Sequence, residues 1–156
     1  MAGNRGLAYG IRLLEVLGGA GFETHVVVDE LASQALESRH DRVRALAGEL
    51  YASDNQAARI SSGSFLTRGM IVAPCDSRTL ASIGLGLATD LLLRAADVTL
   101  KEARPLLLGL TSTAQRPGEV PGLAVTTLAG PVETAVDALI GQLTGWRRGA
   151  RDSPQR

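Results

Sequence analysis

The chain has a single cysteine, Cys75, only two histidines, His25 and His40, and no net formal charge, its 16 Lys and Arg being balanced by 16 Asp and Glu. One cysteine excludes an intrachain disulfide and suits a reducing compartment. Neither histidine is near Cys75 in sequence to activate it, so it reads as a buried strand-end thiol rather than a nucleophile. Zero net charge gives no global field for nucleic acid, and the locally basic end, Arg147, Arg148, Arg151 and Arg156 against Asp152, reads as a solvated tail. No apolar run approaches the roughly 18 residues needed to span a bilayer, and the N-terminus has no basic stretch followed by an apolar one of the kind that directs secretion. The expectation is a cytoplasmic protein with no nucleic-acid partner, no membrane and no metal.

What is present is ordinary for a globular core: 156 residues, 45% hydrophobic and 21% charged. We expect one domain over residues 1–146 and a disordered tail over 147–156.

The densest pattern runs from residue 62 to residue 104. Residues 69–73 (GMIVA) form a short apolar run of the kind buried on both faces of a parallel sheet, and Pro74 stops it. Asp76, Ser77 and Thr79 then carry helix N-cap chemistry, and Leu80, Ile83 and Leu87 recur at helical spacing. A helix starting at the carboxyl end of a parallel strand offers its free N–H groups to an anion, so Asp76, Ser77, Arg78 and Thr79 form a candidate phosphate cradle.

Upstream, residues 1–6 (MAGNRG) read as a glycine-containing loop leading into a helix with Leu7, Ile11, Leu14 and Leu17 on one face, ended by Gly18, Gly19 and Gly21. A loop of this kind normally follows the first strand of a nucleotide-binding sheet, and none precedes it here. Residues 24–28 (THVVV) read as a strand with Asp29 at its carboxyl end, followed by a helix over 30–36 and an amphipathic helix over 41–51 built on Val43, Leu46, Ala47 and Leu50. Residues 61–64 form a small polar loop. Thr89 is the expected cap of a helix in which Leu92, Leu93 and Ala96 pack, while Arg94 and Lys101, seven residues apart, lie about two turns along one side. Residues 105–110 and 123–128 read as strands, 111–122 as a turn-rich connector, and 132–143 as a closing helix followed by a packed Trp146.

Ala73-Pro74-Cys75, Thr79-Leu80, the run from Arg94 to Glu102 (RAADVTLKE) and the early run 9–17 (YGIRLLEVL) resemble the flavin prenyltransferase family, the UbiX-type proteins of the homo-oligomeric flavin-containing decarboxylase superfamily. The resemblance implies an α/β, Rossmann-like (flavodoxin-like) open parallel sheet with helices on both faces, here lacking the usual first strand. It implies FMN as cofactor, dimethylallyl phosphate as substrate, a prenylated-flavin-dependent decarboxylase as recipient of the product, and a trimer-based homo-oligomer, for which the Leu91-Leu92-Leu93 run is the expected contact. It places FMN near Gly3, Asn4, Arg5, Asp76, Ser77, Arg78 and Thr79. Asp29 either meets a ribityl hydroxyl or caps the next helix. Ser62, Gly63, Ser64, Arg94 and Lys101 fall at the positions for the substrate phosphate.

The sequence departs from the family's pattern in several places. Gly3-Asn4-Arg5 replaces a glycine–alanine–serine triplet, Asp76 replaces a small hydroxyl residue, and Thr111-Ser112 stands where an arginine–glutamate pair is expected. The distal tyrosine and lysine have no counterpart. Besides a flavin prenyltransferase with altered site positions, the sequence therefore leaves open a non-catalytic flavin-binding or assembly subunit. A flavin-dependent decarboxylase would need a histidine near the serine loop, and neither His25, inside a strand, nor His40, at a helix junction, is placed for that role. No catalytic residue is assigned.

Overall fold

A computed structural model describes residues 3–28, 40–110, 123–128 and 131–145. In chain order the elements are α1 (Gly3–Gly19), β1 (His25–Val28), α2 (His40–Leu46), β2 (Glu49–Ala52), a 3-10 turn (Arg59–Ser61), β3 (Met70–Cys75), α3 (Ser77–Gly84), α4 (Leu91–Lys101), β4 (Leu106–Leu110), β5 (Leu123–Thr127) and α5 (Val132–Gly145). All strand pairing is parallel. β1 pairs with β2, and separately β4 lies between β3 and β5.

The two sheets share their helices. On one face α1 sets Tyr9 and Leu13 against Leu107 of β4 together with Val136 and Leu139 of α5, and sets Ile11 and Leu14 against Val26 and Val28 of β1. On the other face Leu93 and Ala96 of α4 pack with Leu106 and Leu108, while Leu91 and Ala95 of the same helix pack with Val27 and Tyr51. One helix on each face thus bridges β1 and β3, which are not hydrogen-bonded to each other. The order β2-β1, a break, then β3-β4-β5 is that of an open parallel sheet with a gap at its centre, and among the described residues no strand precedes α1. The burial pattern follows. β4, paired on both sides, is buried at all five residues, whereas β1 beside the break is half-buried along its whole length.

Local chemistry accounts for the element ends. Asp76 caps α3 by accepting the Thr79 N–H at 2.7 Å, and Asp90 caps α4 by accepting the Leu93 N–H at 2.9 Å. Pro74 has no N–H for the ladder, and the register of β3 on β4 shifts between Val72 and Cys75. At Gly109 a Cβ would stand 2.9 Å from Leu128 Cδ2, so β4 needs glycine for Leu128 to lie over it.

Several expectations change. The polar start is helical rather than a loop, with α1 beginning at Gly3; once turns are nucleated, each further residue adds a backbone hydrogen bond, and the helix propagates toward the chain end. Residues 49–52 are the strand β2 rather than the end of a helix. The cap of α4 is Asp90 instead of Thr89, a carboxylate one residue on. Leu91 and Leu93 face the chain's own core, at 0% and 7% exposure, which leaves only the half-buried Leu92 of this run for a contact. The helix expected over 30–36, the connector 111–122, Trp146 and the tail lie outside the described residues.

Candidate functional site

The sheet has two ends, and the candidate residues divide between them. α1 ends at Gly19, a few residues before β1 begins, so it runs back along the strands and its first turn, with Gly3, Asn4 and Arg5, lies at their carboxyl edge. α3 starts directly after β3 at the same edge, with Asp76, Ser77, Arg78 and Thr79 in its opening turn. Two helix N-termini at one edge are suited to an anion. Asp76 works against this. Its carboxylate takes the Thr79 N–H and adds a negative charge at this edge. Asp29 and the side chains of Asn4 and Arg5 lie outside the described residues.

The second group lies along α4. Arg94 Nη1 and Lys101 Nζ meet the same oxygen, Asp97 Oδ2, at 3.5 and 2.7 Å, so the two cations expected to act together converge on one carboxylate that is 16% exposed. The Arg94 Nε–H also donates to the Ser61 carbonyl at 3.2 Å. Next to them the Ser62 and Ser64 hydroxyls are exposed and 2.9 Å apart. Gly63 sits where a Cβ would fall 2.4 Å from Glu102 Oε1. The structure therefore brings Ser62, Gly63, Ser64, Arg94 and Lys101 together. They do not share one level of the sheet: Lys101 closes α4 just before β4 begins, at the amino edge, whereas Arg94 lies in the first turn of α4, whose Leu91 N–H donates to the Ser53 carbonyl just past the carboxyl end of β2.

Sequence reasoning missed Asp97, Glu102 and Arg104. Asp97 was detectable as the residue three after Arg94 and four before Lys101. Arg104 was not, because its contacts span 37 to 41 residues: its Nη2–H donates to the Gly63 carbonyl at 2.7 Å, and its Nη1–H to the Phe65 carbonyl at 2.8 Å and Thr67 Oγ1 at 3.4 Å.

The remaining titratable groups are structural. Cys75 is 1% exposed, and burial, with the Asp76 charge adding to it, pushes the thiol up to about 12. His25 Nδ1 lies 3.1 Å from the Tyr51 hydroxyl, and its ring meets Phe65 edge-on at 4.9 Å, which places it nearer the serine loop than its sequence position suggests. The Tyr51 hydroxyl, then Arg59, hold the Glu49 carboxyl below its ordinary value. The His40 side chain lies outside the described residues. Among the described residues no helix is long and apolar enough to cross a membrane, and no cluster of His, Cys, Asp and Glu could hold a metal.

With this geometry in view, the similarity to known proteins falls into place. Residues 1–116 match the Flavoprotein family. The flavin prenyltransferase UbiX of Neisseria meningitidis serogroup B is 41% identical over 144 residues, covering 89% of this chain and 76% of that protein. Among solved structures, a dodecameric FMN-dependent UbiX-like decarboxylase from Escherichia coli O157:H7 superposes with a TM-score of 0.75 at 31% identity, covering 100% of this chain and 97% of that one. AnUbiX (PadA1), in complex with FMN and dimethylallyl pyrophosphate, superposes at 0.74 and 31% identity, covering 95% and 90%. Several other curated relatives are longer, and the chain spans only 46–62% of their length. On the family match, the sequence identity and the flavodoxin-like superposition, the chain belongs to the flavoprotein family and, within it, to the UbiX-type flavin prenyltransferases.

Proposed function

We propose that this chain binds FMN and takes part in transfer of a dimethylallyl group from its phosphate to reduced FMN, supplying prenylated flavin to a partner decarboxylase. The observation that carries this reading is the convergence of Arg94 and Lys101 on Asp97 beside the Ser62–Gly63–Ser64 segment. Two cations sharing one carboxylate, with two exposed hydroxyls alongside, form a donor set that fits a phosphate monoester. FMN fits the carboxyl edge, where the first turns of α1 and α3 offer main-chain donors to its phosphate.

The flavin supplies the atom to which the prenyl carbon is joined. In this reading the chain's own residues act on the leaving group: the dimethylallyl C–O bond breaks, its electron pair leaves with the phosphate, and Arg94, Lys101 and the serine hydroxyls stabilise the charge that develops there. Lys101, at the amino edge, stands about a strand's length from the flavin edge of its own chain. A homo-oligomer, as in the dodecameric relative, supports the reading by allowing one copy's α4 to approach another copy's flavin edge.

Thr111-Ser112 in place of the arginine–glutamate pair, and Asp76 in the cradle, favour a slow enzyme. Each lost transition-state donor costs about 100- to 1,000-fold in rate. The test incubates the reduced, FMN-loaded protein with dimethylallyl phosphate and weighs the released flavin by mass spectrometry. We expect prenylated flavin at a rate far below that of an intact relative, and none with Lys101→Ala. A wild-type chain that loads FMN and forms no prenylated flavin at all would favour the binding-subunit reading instead.

A further inference from the structure

The segment 61–67 is held from behind by arginines that take its carbonyls. Ser61 O accepts from Arg94, and Gly63 O and Phe65 O accept from the two terminal nitrogens of Arg104. Ser62 O is closed by the Phe65 N–H at 3.2 Å, and the Phe65 ring is fixed between His25 and the Arg59 guanidinium, 5.3 Å above it. Four of the five carbonyls from Ser61 to Phe65 are thus engaged, those of Ser61, Ser62, Gly63 and Phe65. What the segment leaves over is mostly the opposite polarity: the exposed Ser62 and Ser64 hydroxyls, the Ser64 N–H, whose 3.4 Å contact to Ser62 Oγ is long, and the Gly63 N–H, which like the Ser64 carbonyl has no partner among the described residues. A peptide loop is ordinarily an even mixture of donors and acceptors. Engaging four of these carbonyls tips what remains free toward donors, which suits an anion better than a cation.

We infer that Arg104 is a positioning residue for phosphate recognition. Without touching the ligand, it orients the Ser62–Ser64 segment so that donors rather than carbonyls face the anion held by Arg94 and Lys101. The inference rests on the reading of that segment as the holder of the substrate phosphate. Several features of Arg104 fit the role. Its side chain is 13% exposed, so its bonds to the carbonyls are largely shielded from water, and its planar fork reaches two carbonyls two residues apart, which the single ammonium of a lysine would not match. Ala103, immediately before it, adopts the left-handed conformation at φ 52°, which turns the chain out of α4 just ahead of the arginine. Glu102, 4.0 Å from the Arg104 guanidinium, lies against Gly63, where any side chain would meet its carboxylate.

The experiment measures binding of dimethylallyl phosphate to the FMN-loaded protein by calorimetry, amide exchange over residues 61–67, and the split of KM from kcat, for wild type, Arg104→Ala and Arg104→Lys. We expect Arg104→Ala to weaken binding tenfold or more and to raise KM with a smaller change in kcat, while exchange over 61–67 accelerates and exchange in β4 does not. Arg104→Lys should fall between the two, and it carries the test if the alanine variant does not fold. Faster exchange in either folded variant with affinity for the phosphate unchanged would overturn the inference and leave the phosphate-site reading standing. Absence of dimethylallyl phosphate binding by the wild-type chain would overturn both.

Discussion

Cys75 shows how a residue's surroundings set its chemistry. Its thiol lies at the carboxyl end of β3, and burial raises its pKa from an ordinary value near 9 to about 12. At pH 8 the folded chain therefore holds a neutral, enclosed thiol. Ellman's reagent should leave it unmodified in native buffer and titrate one equivalent per chain in denaturant; prompt reaction of the native protein would contradict its placement. The linkage has a definite sign. Below pH 9 both states keep the proton and the thiol contributes no pH dependence. Above pH 9 the unfolded chain releases it while the folded chain does not, so stability falls as pH rises from 9 toward 12. Asp76, the next residue, has the opposite orientation, pointing into the first turn of α3 to cap it. The same carboxylate that caps α3 also lies in the anion cradle, so local stability and phosphate binding compete at one position.

At the level of elements, Gly48 decides a boundary that periodicity misplaces. Val43, Leu46, Ala47 and Leu50 recur at helical spacing, which reads as one helix through residue 51. In the structure α2 ends at Leu46 and β2 begins at Glu49, because the chain must come close to Thr24 to enter the sheet: Gly48 N–H donates to Thr24 Oγ1 at 3.2 Å, and a Cβ there would lie 2.9 Å from the Thr24 carbonyl. Gly48→Ala should cost about 1–3 kcal/mol through this backbone clash, read as a lower denaturation midpoint with an unchanged m-value. An unaltered midpoint would show that β2 does not enter the sheet at this point.

The other strands, α1, α3, α4 and α5 were legible within a few residues, since each combines a strong apolar pattern with a capping residue or a proline or glycine at its end. The candidate site was legible in part. Arg94 and Lys101 follow from their spacing on one helix and the family resemblance, whereas the grip of Arg104 on residues 63–67 depends on a contact across the fold that no local pattern encodes.

For the whole molecule, the gap between the two sheets dominates. A parallel sheet normally covers both edges of its inner strands, and among the described residues β1 and β3 each leave an edge unpaired while α1 and α4 pack against both sheets. The carboxyl edge of these strands still carries the N-termini of α1 and α3, the feature on which flavin binding depends in this account. The direct measurement is equilibrium titration of the chain with FMN, riboflavin and NAD, followed by desalting. The account predicts that FMN alone is retained, giving a yellow protein with absorbance near ~450 nm. It also predicts that riboflavin, which lacks the phosphate those helix N-termini would hold, binds at least tenfold more weakly. A chain that retains no flavin, or that holds riboflavin as tightly as FMN, would contradict it.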